Sequence, residues 1–297
     1  MLHPGHIGLK VSGQNASIEE MRECWRIADD AGFDHLWNFD HLAGVKSSGL
    51  QSPILEAWTL LAAMAATTTR IRIGCLVTGN AYRHPAMLAK MAVTVDHLSH
   101  GRLEFGIGAG GWPDRENSMY GMQGLDHLVG RLNESLQVCK ALWTQDNATF
   151  LGRYYQLNEA VANPKPVQKP YPPIWIGTVG EATLKVVARH ADVWNVTASF
   201  VKGPKEAGEI GRRLREECDQ QGRDPYEIRW SAQIFWDGLD RSRLVSEAAA
   251  YVEEGFSEII IFPDVRATGK SPVEATERAA AELDALRRLQ VRDARPT

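Results

Sequence analysis

Two hydrophobic periods take turns along this chain. Short, nearly continuous apolar runs predict strands at His6–Val11, His35–Asp40, Arg70–Thr78, Arg102–Gly108, Pro173–Thr178, Val193–Thr197, Ile228–Phe235 and Glu258–Phe262. Runs such as Ile259-Ile260-Ile261-Phe262 suit strands covered on both faces. Between them, apolar residues recur at helical spacing over Ile18–Ala31, Leu55–Ala66, Ala86–Leu98, His127–Leu142, Glu181–His190, Lys205–Gln220, Arg241–Glu254 and Pro272–Leu289. Ser17-Ile18-Glu19-Glu20 supplies a capping box for the first of these helices, and Gly32 a stop. Eight strand–helix pairs within 297 residues predict an α/β fold, a single-domain TIM (β/α)8 barrel. No linker or low-complexity stretch divides it.

Two insertions break the spacing: Trp112–Asp126 after strand 4, and Thr149–Pro172 before strand 5. The second holds a predicted hairpin, Phe150–Leu157, and a proline-rich crossing. Long loops in compact domains are often lids or binding loops. For the second insertion, a flap over the side or bottom of the barrel is an equal alternative.

In such barrels chemistry sits where strands end and βα loops begin. Strand 4 runs into a glycine cluster, Gly106, Gly108, Gly110 and Gly111, which permits positive φ and close approach of a flat ligand. Strand 2 ends at Asp40-His41. A histidine there can give or take a proton near neutral pH, and the aspartate can accept hydrogen bonds from a ligand. The alternative is an Asp helix cap beside a surface histidine. Strand 5 ends at Gly177-Thr178-Val179-Gly180 just before a helix, which reads as an anion site or as a tight turn whose helix dipole Glu181 satisfies. Thr197, one strand over, can add a hydroxyl to the same anion.

Composition narrows the classes. A net charge of -4 argues against a nucleic-acid or anionic-membrane surface. No run approaches membrane-spanning length, and no signal peptide is read, so the expectation is cytoplasmic. Cys24, Cys75, Cys139 and Cys218 are widely spaced and read as free buried thiols. No metal site is read: His97 and His100 have no third ligand. Gly106-x-Gly108-x-x-Gly111 fits a dinucleotide pattern, but Trp112-Pro113-Asp114 follows where a helix should open. Gly269-Lys270-Ser271 lacks the first glycine of a phosphate loop, since position 264 is aspartate.

The segment Gly74–Ala92, containing Val77-Thr78-Gly79-Asn80-Ala81-Tyr82-Arg83-His84-Pro85, resembles the bacterial luciferase-like monooxygenases. So do Asp96–Gly110, with Gly101-Arg102-Leu103-Glu104-Phe105-Gly106, then Pro173–Gly177 and Ala191–Asn195. The nearest branch uses the deazaflavin coenzyme F420. The resemblance implies a cofactor ring against the end of strand 3, with Leu76 and Val77 forming a bulge behind it. A cis or strained Leu76–Val77 peptide is therefore expected. It further implies cofactor contacts from Asp40, Thr78, Gly108, Gly110 and Gly111, and a phosphate loop at Gly177, Thr178, Val179 and Gly180, with Thr197 beside it. His41 becomes the proton donor or acceptor. Lys185, Arg189 and Lys202 would meet the cofactor's acidic tail or form an ordinary solvated face. The implied protein is a homodimer acting on a small molecule. In the sugar-phosphate-oxidising branch a glutamate acid stands where this chain has Gly111, and a tryptophan follows the strand-2 histidine where this chain has Leu42-Ala43-Gly44-Val45. Sugar-phosphate oxidation is therefore not expected. Two alternatives stay open: an FMN-dependent monooxygenase served by a separate reductase, and a non-catalytic flavin-binding protein.

Overall fold

The computed structural model describes residues 2–45, 49–110, 114–122, 126–263 and 271–292. Its strands are β1 (His6–Lys10), β2 (His35–Asn38), β3 (Arg72–Cys75), β4 (Leu103–Gly108), β5 (Ile174–Gly177), β6 (Val193–Thr197), β7 (Arg229–Trp236) and β8 (Glu258–Pro263). Each pairs in parallel with the next, and β8 pairs with β1, closing the barrel. The predicted eight strands and their order hold. The third ends three residues earlier than expected because Leu76 and Val77 leave the ladder, and Thr78–Gly79 rejoin beside Ile107 and Gly108.

The outer ring is α1 (Ile18–Ala31), α2 (Ala57–Thr67), α3 (Pro85–Leu98), α4 (Leu128–Thr144), α5 (Glu181–His190), α6 (Pro204–Gln220), α7 (Arg241–Glu253) and α8 (Pro272–Arg287). The Ser17–Glu20 capping box forms, and Gly32 closes α1 with φ 96°. Pro85 opens α3 at a position where its missing N–H costs nothing. All four cysteines are free and buried. No helix among the described residues is long and apolar enough to cross a membrane.

The second insertion forms an antiparallel hairpin, Ala148–Leu151 with Gln156–Ala160. The Glu134 carboxylate on α4 accepts the backbone N–H groups of Arg153, Tyr154 and Tyr155 at its tip. The hairpin is thus pinned to the outside of the helical ring, which favours the flap over the lid.

Inside the barrel, Trp37 and Trp175 meet edge to face, 4.6 Å between centroids, with Val193, Ile260 and Leu76 around them. Small residues make the room. A Cβ on Gly74 would lie 2.3 Å from the Trp37 ring, and one on Gly106 would lie 2.0 Å from the Cys75 carbonyl oxygen. Gly106 therefore serves strand-to-strand approach, not the ligand contact that its cluster suggested. Backbone cannot yield as a side-chain tip can. Gly106→Ala should cost about 1–3 kcal/mol of stability by urea denaturation, the usual penalty of overpacking. A variant as stable as the parent would contradict this packing account.

Candidate active site

A cavity of about 740 Å³ opens at the carboxyl ends of the strands. Asp40, His41, Leu76, Val77, Thr78, Gly108, Gly110, Gly177, Thr178, Val179 and Gly180 all line it. Thr197 does not, and Gly111 lies outside the described residues. None of the residues 149–172 reaches it, in keeping with the hairpin's outer position.

One wall is the bulge. The Leu76–Val77 peptide is cis, as expected. Val77 sits between two bare backbones: a Cβ on Gly108 would lie 2.8 Å from its Cγ2, and one on Gly177 3.1 Å from its Cγ1. These two glycines make room for the bulge as well as facing the cavity. Gly110 takes φ 83°, a left-handed conformation that glycine adopts freely.

His41 stands at the end of β2, its side chain 26% exposed. Its Nδ1 lies 3.1 Å from Glu116 Oε2. Glu116 comes from a short helix in the first insertion, Asp114–Met119. Its carboxylate also accepts from Tyr82 Oη at 2.6 Å and from the N–H groups of Leu42 and Ala43. Burial pushes the Glu116 carboxyl up, but these donors outweigh it and hold it below the usual range. An ionised Glu116 fixes the proton of His41 on Nδ1, leaving Nε2 without a protein partner among the described residues. Burial and the same carboxylate raise the Tyr82 phenol, keeping it a donor.

Asp40 is neither a helix cap nor exposed. The Arg83 guanidinium grips it with two hydrogen bonds, 2.5 and 3.0 Å, and the Gly79 N–H adds a third at 3.2 Å. The pair ties the end of β2 to the loop after β3, so Asp40 frames the bulge in addition to facing the cavity.

At the far side, α5 begins with Gly180 and no side-chain cap. Glu181 stands in the first turn, as the alternative reading expects, and pairs with Arg213 of α6 at 2.9 Å. The Gly180 N–H donates to Thr178 Oγ1 at 3.1 Å and the Thr183 N–H to the Gly180 carbonyl, so of the first turn the Glu181 and Ala182 N–H groups are left without a partner among the described residues. Lys185 and Lys202 are exposed. Arg189 lies at the other end of α5, bonded to Asn133, so it belongs to the outer surface and not to this loop.

Three contributors were missed. Lys10 ends β1 and is buried at the cavity floor. Gln233 on β7 accepts from it at 2.9 Å. Glu116 reaches His41 across 75 positions. A lysine closing an apolar strand was the one signal in sequence.

The opposite end of the barrel carries a second polar cluster. His6, His35 and Glu258 bring ligand-type atoms within 4.8 Å of one another. Arg229 also pairs with Glu258, so the group forms an ion-pair network at the first residues of β1, β2, β7 and β8.

The luciferase-like monooxygenase profile matches residues 1–292. This chain belongs to the luciferase-like monooxygenase family. An uncharacterized protein of Mycobacterium tuberculosis is 35% identical over 237 residues, 77% of this chain and 76% of that one. The F420-dependent glucose-6-phosphate dehydrogenase of Nakamurella multipartita is 26% identical over 294 residues, 94% of this chain and 80% of the enzyme. Among solved structures, an F420-dependent secondary alcohol dehydrogenase in complex with an F420-acetone adduct shares the fold, with a TM-score of 0.80 at 18% identity, covering 95% of this chain and 99% of that one.

Proposed function

We propose that this family member is an oxidoreductase that moves a hydride between coenzyme F420 and a small organic substrate. The observation that carries the reading is His41 held by Glu116 at the wall of a cavity that the Leu76–Val77 bulge also lines. The residues fit the cofactor. The bulge and Gly108 offer a close apolar surface for a flat ring, and the uncapped start of α5 offers N–H groups to a phosphate. The named relatives and the shared fold support the same choice.

When bound, the deazaflavin supplies the hydride chemistry. The chain does the rest. Gly177–Gly180 would hold the phosphate, Leu76 and Val77 would back the ring, and His41 would give or take a proton through Nε2. Glu116 keeps that nitrogen aimed inward. Phe200, Phe235, Phe262 and Pro263 add apolar surface to the lining.

Titration of apo protein with both candidate cofactors tests the reading. Coenzyme F420 should bind at least about tenfold more tightly than FMN, a difference of about 1.4 kcal/mol. Protein that purifies yellow with FMN and ignores F420 would overturn the choice and favour the monooxygenase. Tight F420 binding with no turnover across a panel of alcohols and ketones would favour the non-catalytic binder.

A further inference from the structure

Lys10 is the one lysine or arginine among the described residues that line the cavity. It is 7% exposed and has no carboxylate within ion-pair distance among the described residues. Its ammonium donates to the Leu76 carbonyl at 2.5 Å and to Gln233 Oε1 at 2.9 Å. It also lies 5.6 Å from the Phe39 ring and 5.3 Å from the Phe262 ring. An ammonium has three donors, and only two find acceptors among the described residues.

A buried cation without a counterion is costly, and folds keep one where something else compensates it. The two carbonyl acceptors offset part of that cost, and the aromatic faces add a little. Burial lowers the Lys10 pKa to about 8, which leaves it protonated at neutral pH. The fold thus holds a positive charge at the floor of the chamber, one hydrogen bond from the bulge.

We propose that Lys10 is a positioning residue with an electrostatic duty: it anchors the Leu76 carbonyl and favours the reduced form of the bound cofactor over the oxidised form. The proposal rests on the deazaflavin reading above. A hydride brings two electrons and one proton to the ring, so reduction adds one unit of negative charge before any further proton is taken up. A nearby fixed cation binds that form more strongly. By linkage, the ratio of the two affinities sets the potential of the bound couple.

The test measures dissociation constants of oxidised and reduced coenzyme F420 for the apo protein, anaerobically, in the wild type and in Lys10→Met. The ratio of reduced to oxidised affinity should fall about tenfold in the variant, equivalent to a bound potential about 30 mV more negative. Lys10→Gln provides the same reading if the methionine variant does not fold. Lys10→Arg, which retains the charge, should keep most of the wild-type ratio. Equal weakening of both forms in both neutral variants would overturn the electrostatic role and leave Lys10 as a packing post. A wild type that binds neither form would overturn the deazaflavin reading and this proposal together.

Discussion

Replacing His41 with alanine should slow the chemical step by roughly 10²- to 10⁴-fold, the usual size of a general acid–base contribution. Cofactor affinity should stay nearly unchanged, because the other lining residues remain in place. The fold should also survive. Glu116 keeps its hydrogen bonds from Tyr82 and from the Leu42 and Ala43 N–H groups when the imidazole is gone. Single-turnover absorbance of the cofactor checks the rate, with a substrate found by screening small alcohols and ketones. Glu116→Gln should give a smaller loss, since His41 remains but its Nδ1 proton is no longer held by a carboxylate. Full turnover in His41→Ala would make the histidine structural and would move the proton route elsewhere in the cavity.

The barrel was legible because its strands are buried on both faces. Ile259-Ile260-Ile261-Phe262 can hardly be anything else between two helical patterns, and the register follows from closure. The cavity was legible for the same reason. Once strand ends are known, Asp40, His41, Thr78, Gly108 and Gly177 are forced to one face of the molecule. What failed to show was pairing across the ring. Nothing in Trp112–Asp126 distinguishes Glu116 from the other polar residues of that loop. Its value comes from folding back 75 positions onto His41. Arg83 likewise stood only within the family-like segment, whereas its guanidinium claims Asp40, 43 positions away.

Role assignments were harder than placement. Gly106 and Gly108 belong to one sequence cluster, yet one relieves a backbone contact and the other faces Val77 and the cavity. Only the position of the neighbouring strand decides between them. Arg189 shows the converse error. Its separation from Gly180 is small in sequence, but a ten-residue helix carries it to the other end of the outer ring. Thr197 sits at its predicted strand end, but outside the cavity lining.

Replacing Arg229 with methionine should destabilise the fold by about 3 kcal/mol at neutral pH, although Arg229 is far from the cavity. Its partner is the reason. Glu258 is fully buried at the first residue of β8, while the Arg229 side chain is 38% exposed. Burial pushes the Glu258 carboxyl up. The His6 hydrogen bond and the charges of His35 and Arg229 outweigh this and bring its pKa down to about 2. Removing Arg229 leaves a buried carboxylate held mainly by His6 at 2.9 Å, with one oxygen lacking any hydrogen-bond partner. Glu258→Gln should cost less, because the cation it strands can turn to water. The double variant Glu258→Leu with Arg229→Met should recover most of the loss, since neither charge then needs compensation. The pH sign follows from the depressed pKa. Glu258 contributes stability above its unfolded value near 4.5, and that contribution drains away as pH falls towards 2. The gap between wild type and Arg229→Met should therefore narrow in acid. Equilibrium urea denaturation at pH 7 and pH 4 measures both effects. A cost below about 1 kcal/mol, the range of exposed ion pairs, would mean that water reaches the carboxylate and that the barrel base is open.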